Sequence, residues 1–374
     1  MTTLRNIDII LTCRLGMERI VASYVKELSS EVEVYPAPFN LMGMVLVANA
    51  KDKYSFAEKI KRRIPEVEKV FVVEAVTRAD ISSIVEASKS LVRNRIAPNE
   101  SFAVRTTRSG KHGFTSIDVN VAVGAAVKEV TGARVDLENP DKVVVVQIVH
   151  DYAYLSVVPG SEFYRKMKPY KFPMYKIFWR FVVGHEPYLG PVDASYTMGT
   201  RIGREVQTYE IGELVITPIG SIDAHALYHF LRGVFEGIES RYEVQKRSYG
   251  REVHKVQVSL QDMHQFVRSH MGEPLIVFEP EGDPISRIAT EVAELIINTV
   301  KRGKKVYLMV GAREGVPIGI FRYASYVIDV APGIVISTDY ALASALIAIS
   351  TAIHEKLVAQ REEIDKYLER ADNT

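Results

Sequence analysis

The first stretch of the chain alternates short apolar runs with amphipathic segments. This pattern predicts strands at residues 7–12, 32–35, 44–48 and 67–75, and helices at 15–28 and 55–64. The order strand, helix, strand, strand, helix, strand is typical of a ferredoxin-like module. We therefore expect a small α+β domain at the start of the chain.

The second stretch shows a different order of elements. Its pattern predicts a helix at 81–93, a strand at 101–106, a helix at 117–131, and strands at 142–150 and 152–157. A loop with the sequence TRSGKHGFTS leads from the first of these strands into the second helix. This loop is the first candidate for a functional site.

The charges and small residues of this loop favour an anion-binding role. Arg105, Arg108, Lys111 and His112 supply positive charge, and Thr115 stands where the N-cap of the following helix is expected. A helix N-terminus that is fronted by basic side chains is well suited to bind phosphate. A glycine-rich turn with scattered charges is the alternative interpretation of the same residues.

A basic segment follows between residues 159 and 180. It holds six basic residues and one acid, a local net charge of +5. The basic residues are Arg165, Lys166, Lys168, Lys171, Lys176 and Arg180, and the acid is Glu162. A solvated linker between domains and a surface that contacts phosphates both fit this composition.

The last part of the chain alternates apolar strands with longer amphipathic helices. Strands are predicted at 175–183, 214–217, 274–278, 305–310 and 326–330, and helices at 195–209, 224–239, 285–301 and from residue 340. Such alternation predicts a mostly parallel sheet covered by helices. The strands show little polar alternation, as expected for strands buried on both faces.

Three loops of this part are rich in small residues and proline. They are EPEGDP at 279–284, GAREGVPIG at 311–319 and VAPGIVISTD at 330–339. Each follows a predicted strand, and ligands of open α/β sheets bind where strands end and loops begin. Tight turns without a ligand are the alternative for each loop taken singly.

Composition limits the class of protein. The 374 residues predict about two to three domains. The 47 basic and 46 acidic residues nearly balance, so any attraction to nucleic acid must come from local patches. The single cysteine, Cys13, excludes an internal disulfide and a cysteine zinc cluster, and His225 and His229 lack an evident third ligand, so no metal is expected. We expect a cytoplasmic protein, with neither a signal peptide nor a membrane span.

The segment from residue 79 to residue 160 resembles a THUMP domain, the RNA-binding module of several transfer RNA modification enzymes. The resemblance rests on the SGKHGFTS loop that runs directly into a helix. It implies that this domain binds the acceptor end of transfer RNA, near its 3′ terminus. The residues then expected at the RNA are Arg105, Arg108, Lys111, His112 and Thr115, together with Lys166, Lys168 and Lys171.

The segment KKVYLMVGAREGVPIGIFRYASYVIDVAPGIVISTDYALASALIAI, residues 304–349, resembles the C-terminal half of SPOUT RNA methyltransferases. In that family such loops hold S-adenosylmethionine beside a trefoil knot, and the knotted region commonly forms a homodimer. The resemblance implies a cofactor site made of small and apolar residues. These are Val310, Gly311, Gly315, Val330, Ala331, Gly333, Ile336 and Thr338.

Transfer of a methyl group to a base nitrogen or a ribose hydroxyl requires that the acceptor lose a proton. Asp283 and Glu314 are the candidate proton acceptors, and Arg313 is the candidate for holding a phosphate or stabilising negative charge. The Asn- and Arg-containing first motif and the SLNVS-like third motif of SPOUT ribose methyltransferases are absent, which favours a base as the target. The His-x-Glu and Pro-Cys-x-x-Cys motifs of a zinc deaminase, an SGGxDS loop and an Asn/Asp-Pro-Pro-Tyr motif are also absent.

The sequence therefore predicts an α/β protein of archaeal type that methylates transfer RNA with S-adenosylmethionine. The predicted parts are a ferredoxin-like domain at 1–78, a THUMP domain at 79–160, a basic linker at 161–175, a SPOUT-like domain at 176–354 and a charged helix at 355–374. A non-catalytic adaptor that presents transfer RNA to another enzyme is the alternative.

Overall fold

The structure, a computed structural model, describes residues 6–164, 166–168 and 170–371. Arg165 of the predicted linker, and the chain ends at 1–5 and 372–374 in the predicted first and last segments, lie outside the described residues. The chain divides into two compact units, Met1–Lys168 and Pro169–Thr374. The division falls within the segment 161–175 that was predicted as a linker.

The first unit begins with an antiparallel sheet of order β2-β3-β1-β4. Its elements are β1 (Ile7–Cys13), α1 (Glu18–Leu28), β2 (Glu33–Pro36), β3 (Met44–Ala48), α2 (Lys53–Arg63) and β4 (Val67–Val72). Val21 and Val25 of α1 and Ile60 of α2 are buried together with apolar side chains of the strands, including Leu11. Element order and strand order together give the predicted ferredoxin-like arrangement.

A second sheet of order β5-β9-β8-β6-β7 completes this unit. Its elements are β5 (Ala75–Arg78), α3 (Ile81–Val92), β6 (Ser101–Ser109), α4 (Ser116–Thr131), β7 (Arg134–Val135), β8 (Lys142–Val149) and β9 (Tyr152–Pro159). The predicted strand at 67–75 is in fact two strands, because the chain passes between sheets. The Val73 amide donates to Asp8 of β1, whereas the Glu74 amide donates to Leu155 of β9. Phe71 and Tyr154 share an apolar cluster between the sheets.

The second unit is built on a parallel sheet of order β12-β11-β10-β14-β13-β15. Its strands are β10 (Phe181–His185), β11 (Glu213–Ile216), β12 (Gln257–Leu260), β13 (Leu275–Pro284), β14 (Val306–Val310) and β15 (Tyr326–Asp329). Its helices are α5 (Tyr175–Phe178), α6 (Val192–Tyr209), α7 (Ala224–Ser248), α8 (Met263–Ser269), α9 (Ile285–Lys301), α10 (Ile318–Phe321), α11 (Thr338–Ala359) and α12 (Arg361–Ala371). The predicted α/β class with a mostly parallel sheet is confirmed.

The predicted strand at 175–183 is wrong in its first half. Residues 175–178 form the short helix α5, and the strand begins only at Phe181. Met174, Ile177 and Phe178 stand at helical spacing, and all three join the core of the unit. An apolar run of this length reads equally well as a strand or as a buried helical turn, which explains the error.

Part of the predicted loop at 279–284 belongs to β13. Phe278 and Asp283 both align with Ile328 of β15, so residues 279–282 form a bulge between two points of pairing. Gly282 crosses the β15 backbone so closely that a Cβ there would lie 2.5 Å from the Ile328 nitrogen. The bulge therefore lifts Glu279 and Glu281 out of the strand register.

Helix α11 combines great length with high hydropathy. By those two criteria it would qualify as a membrane span, the single such helix among the described residues. Leu342, Leu346, Ile349 and Ile353 on one of its sides are nevertheless fully buried in the core of the second unit. Leu357, Ile364 and Leu368, near the end of the described chain, belong to the same core.

Candidate functional site

The register of three neighbouring strands brings two acids and a glycine to one edge of the parallel sheet. His185 of β10 and Phe278 of β13 both align with Val310 of β14, which lies between them. The next residue in each case is at the carboxyl edge, where β10 and β14 end and the bulge of β13 begins. Gly311 is therefore flanked by Glu186 on one side and Glu279 on the other.

These two acids hold the loop that follows β14. Glu186 Oε2 accepts a hydrogen bond from the Ala312 amide at 2.7 Å, and Glu279 Oε1 accepts one from the Val316 amide at 2.5 Å. Both carboxyls are half-buried, and burial raises the pKa of each. The loop is thus fixed near both of its ends by carboxylates that come from the strands beside it.

Gly311 and Gly315 are required by the close approach of Glu279. A Cβ on Gly311 would lie 2.5 Å from Glu279 Oε1, and one on Gly315 would lie 3.0 Å from it. Gly315 also has a φ of +76°, a conformation that other residues adopt only with strain. The loop consequently presents bare backbone at this edge of the sheet.

A cavity of about 250 Å³ opens above this edge. Its walls come from the loops after β13, β14 and β15 and from the start of α11. The lining residues are Phe278, Glu279, Pro280, Glu281, Val310, Gly311, Ala312, Arg313, Glu314, Gly315, Ile328, Asp329, Val330, Ile334, Val335, Ile336, Thr338 and Ala341. Ile334 and Val335 are 65% and 92% exposed, so the cavity has an uncovered apolar side.

The structure brings most of the predicted cofactor residues together. Val310, Gly311, Gly315, Val330, Ile336 and Thr338 line the cavity. Ala331 and Gly333 do not. They form the turn that shapes the wall, in which Gly333 has a φ of +81° and the Ala331 amide donates to Asp329 Oδ1 at 2.9 Å.

The three predicted catalytic residues are placed differently from one another. Arg313 and Glu314 line the cavity, whereas Asp283 is exposed on β13 and is not among the lining residues. The Arg313 guanidinium lies 4.7 Å from the centre of the Tyr188 ring, and it donates hydrogen bonds to Tyr188 Oη and to the Leu189 carbonyl. This contact holds Arg313 against the loop that follows β10.

Glu186 and Glu279 were not predicted as site residues. A signal for them is present in the sequence, because each directly follows a short, mostly apolar strand segment, in FVVGHE and LIVFE. Their approach to one loop depends on β10 and β13 both being neighbours of β14. That strand order is a long-range property that local periodicity does not contain.

The basic loop of the first unit has an internally bonded structure. Thr115 is the N-cap of α4 in a capping box, in which its hydroxyl accepts from the Asp118 amide while the Asp118 carboxylate accepts from the Thr115 amide. The hydrogen bond from the Thr115 amide lowers the pKa of the Asp118 carboxyl. The first turn of the helix therefore already carries a negative charge, and phosphate binding would rest on the side chains of the loop.

A histidine connects this loop to the turn between β8 and β9. His112 Nε2 donates to the His150 carbonyl at 2.7 Å, while its Nδ1 lies 3.4 Å from Arg108 Nη1. Arg105 is engaged through a hydrogen bond to the Leu137 carbonyl, and Lys111 is exposed. Arg105 and Arg108 are at odd and even positions of β6, so their side chains lie on opposite faces of the sheet. Arg108 and Lys111 are both exposed. The candidate RNA surface is therefore the region around Lys111, His112 and the turn at His150.

Aromatic side chains border the same surface. Phe39 is 55% exposed, adopts a φ of +54° that is rare for a bulky residue, and lies 4.7 Å from the His150 ring. A groove of about 570 Å³ is lined by Asn40, Lys69, Arg105 and Phe163, among others. Exposed aromatic rings beside basic residues are typical of surfaces that bind single-stranded nucleic acid.

The remaining candidates lie elsewhere. Lys166 is exposed and Lys168 and Lys171 are half-buried, on the segment in which one unit ends and the next begins. His225 and His229 contact each other on α7 with their Nε2 atoms 3.3 Å apart. No group of three potential metal ligands exists among the described residues.

The fold combines a parallel sheet that has a cavity at its carboxyl edge with a unit of two further sheets that carries a basic loop. The family described as "AF2226-like SPOUT RNA Methylase fused to THUMP" matches residues 175–373, and the THUMP domain matches residues 78–158. The chain therefore belongs to the family of SPOUT RNA methylases that are fused to THUMP. The resemblance inferred from the sequence is confirmed.

Individual relatives are of two kinds. An uncharacterised protein of Methanocaldococcus jannaschii, MJ0421, is 37% identical over 342 residues, which cover 91% of this chain and 92% of that protein. A probable tRNA sulfurtransferase of the same organism is 32% identical over 148 residues, or 38% of this chain and 39% of that protein. Among solved structures, TrmN from Thermus thermophilus is 16% identical, covering 84% of this chain and 91% of its own, with a TM-score of 0.33. With a TM-score this low, nothing about the present chain is inferred from that structure.

Proposed function

We propose that this protein transfers a methyl group from S-adenosylmethionine to transfer RNA, with a base favoured over ribose as the acceptor. One observation carries the proposal: a cavity at the carboxyl edge of the parallel sheet whose floor is the bare backbone of Gly311 and Gly315, held between Glu186 and Glu279. The membership of the chain in a family of RNA methylases agrees with it.

The residues of the cavity fit S-adenosylmethionine. Gly311 and Gly315 line the cavity with main-chain atoms, and exposed Ile334 and Val335 offer an apolar surface for a planar base. The acids in the lining suit a ligand that carries a sulfonium and an ammonium group. When bound, S-adenosylmethionine supplies an electrophilic methyl group.

The residues at the mouth of the cavity supply the remaining chemistry. Glu314 lines the cavity and is proposed to accept the proton that the acceptor nitrogen loses. Arg313, fixed by Tyr188 and Leu189, is proposed to hold a phosphate of the RNA. Asp283 was predicted as an alternative acceptor of this proton. It is not among the residues that line the cavity, so Glu314 is preferred.

The first unit is proposed to bind the acceptor end of the transfer RNA. The proposed RNA contacts are Arg105, Arg108, Lys111 and His112. His112 bonds to the turn at His150, whose ring lies beside exposed Phe39, and Arg105 lines a groove with Phe163. Basic and aromatic side chains of this kind are suited to phosphates and unpaired bases. Thr115 shapes the loop through its capping box, and Lys166, Lys168 and Lys171 of the predicted linker are proposed as further phosphate contacts. The domain boundaries predicted from the sequence, a trefoil knot and a cytoplasmic location all stay part of this proposal.

A homodimer through the second unit is also proposed. Only 33% of the most apolar window of α11 is buried within the chain, and Tyr340 and Ile347 on its outer side are exposed. A second copy of the chain would cover this face. A mass of 42.0 kDa in sedimentation equilibrium, that of a single chain, would contradict the dimer.

The proposed function predicts both binding and turnover. Titration calorimetry of the full-length protein should show heat on addition of S-adenosylmethionine. Incubation with radiolabelled cofactor should then label transfer RNA in preference to ribosomal RNA. Absence of binding at near-millimolar cofactor would favour the adaptor, and labelling of ribosomal RNA alone would overturn the choice of substrate.

A further inference from the structure

Glu279 is a half-buried carboxylate without a positive partner. Among the residues that the structure describes, no lysine, arginine or histidine forms an ion pair with Glu279 or with Glu186. Burial and the negative charges of Glu281 and Glu186 raise the pKa of Glu279, and the hydrogen bond from the Val316 amide lowers it. No cation of the described chain contributes to this balance. Buried charges are normally paired with an opposite charge, so we expect a positively charged ligand to lie beside Glu279.

The arginine in the cavity wall does not meet this need. Arg313 binds Tyr188 and Leu189, on the side of the loop that follows β10. The cavity lining contains four acidic residues, Glu279, Glu281, Glu314 and Asp329, and one basic residue, Arg313. The lining therefore has an excess of negative charge that a cationic ligand would relieve.

We infer that Glu279 selects the positively charged methyl donor over its uncharged demethylated product, in addition to fixing the cofactor loop. The inference rests on the proposed function. S-adenosylmethionine carries a sulfonium, an ammonium and a carboxylate. Methyl transfer breaks the bond from sulfur to the methyl carbon, forms a bond from that carbon to the acceptor, releases a proton from the acceptor, and leaves a neutral thioether in S-adenosylhomocysteine. The two ligands thus differ by one positive charge and one methyl group.

Glu279 has two proposed roles, which are to fix the loop by a hydrogen bond and to attract the cofactor by its charge, and substitutions can test them separately. One oxygen accepts the Val316 hydrogen bond and lies against Gly311 and Gly315, at the floor of the cavity. A glutamine could accept the same hydrogen bond through its amide oxygen but would carry no charge. An alanine would remove both the hydrogen bond and the charge.

The test is calorimetric binding of S-adenosylmethionine and S-adenosylhomocysteine to the full-length protein and to Glu279→Gln and Glu279→Ala variants. Wild type should prefer the methyl donor. Glu279→Gln should reduce that preference about tenfold, the size of one charge interaction at a half-buried site, mainly by weakening binding of the donor. Glu279→Ala should weaken both ligands. Amide hydrogen exchange at Val316 should stay slow in Glu279→Gln and become faster in Glu279→Ala.

Glu273→Gln is the matched control, because it removes one negative charge just before β13 begins, at the opposite edge of the sheet, where Glu273 pairs with Lys304 at 3.1 Å. It should leave the preference unchanged. Three results would overturn the selection by charge. Glu279→Gln could weaken binding of both ligands equally, or Glu273→Gln could change the preference as much as Glu279→Gln does. The third is a wild type that binds both ligands with equal affinity. A wild type that binds neither ligand would instead overturn the proposed function, and the inference with it. The Val316 exchange rates would still decide whether Glu279 fixes the loop.

Discussion

Glu205 is an acid in surroundings that disfavour its charged form. It lies on α6 with both carboxyl oxygens buried and no ion pair among the described residues, and the Ala343 amide only partly offsets the effect of burial. Burial, reinforced by the charge of Asp339, raises its pKa from 4.5 to about 8. The side chain is therefore protonated at neutral pH in the folded protein.

This pKa predicts how stability depends on pH. Between pH 4.5 and about 8 the unfolded chain loses the Glu205 proton while the folded chain keeps it. Stability should fall as pH rises through this window, by up to about 1.4 kcal/mol per pH unit, and the effect should level off above it. In Glu205→Gln this loss should disappear, so the melting temperature of the variant relative to wild type should rise from pH 5 to pH 8.

Thermal unfolding at fixed protein concentration measures this difference. Glu291→Gln, an exposed acid on α9, is the control and should follow wild type at every pH. A constant offset between Glu205→Gln and wild type across the range would mean that Glu205 does not retain its proton on folding.

At the scale of elements, α6 and α7 pack with their backbones in contact. Gly199 and Gly203 of α6 face α7, and Gly233 and Gly237 of α7 face α6. A Cβ at any of these four positions would lie between 2.1 and 2.3 Å from a carbonyl oxygen of the other helix. The small residues allow a separation that larger side chains would prevent.

Gly203→Ala should destabilise the second unit. A Cβ there would lie 2.2 Å from the Val234 carbonyl oxygen. Alanine favours an isolated helix by about 1 kcal/mol over glycine, but overpacking costs roughly 1–3 kcal/mol or more, so the net effect should be a loss. Denaturant unfolding measures it. Gly250→Ala is the control, since a Cβ at Gly250 would meet nothing within 4 Å. A variant as stable as wild type would show that the helices can move apart without loss.

At the scale of the whole molecule, the proposed cofactor site and the proposed binding surface for the acceptor end of the RNA lie in different units. The nearly neutral net charge of +1 gives no general attraction to RNA, so binding must depend on local groups such as exposed Lys111. The cavity lies wholly in the second unit, and the basic loop wholly in the first. Substitutions should therefore affect one ligand at a time.

Two variants test this separation. Gly315→Leu should raise the dissociation constant for S-adenosylmethionine about tenfold or more, because a side chain at its φ of +76° is strained and would meet Glu279. It should leave RNA affinity unchanged. Lys111→Ala should weaken RNA binding and reduce the slope of affinity against salt by about one, with cofactor affinity unchanged.

Lys111 is the better choice than His112, whose ring also bonds to the His150 carbonyl. Gly319→Ala and Lys26→Ala, at open and exposed positions of the two units, are the controls. Loss of both ligands in either variant would contradict separate sites, and an unchanged salt slope in Lys111→Ala would remove its contact with phosphate.

Much of this protein follows from local sequence. The periodicity of apolar residues predicts most of the elements, because a helix or strand that buries one face must repeat that face along the chain. The errors lie where the local pattern is ambiguous, as at Ile177 and Phe178. The small residues of the loops at 311–319 and 330–339 mark the cavity for a similar reason, since only such residues leave the backbone open.

Tertiary structure alone decided which side chains meet there. Glu186 and Glu279 are 93 positions apart in the sequence, and they flank Gly311 only because β10 and β13 are both hydrogen-bonded to β14. The bulge that lifts Glu279 depends on β15 being the other neighbour of β13. Strand order comes from the packing of the whole sheet, which no window of local sequence contains. The sequence therefore determined the elements and the loops that line the cavity, and the order of the strands determined the charge beside Gly311.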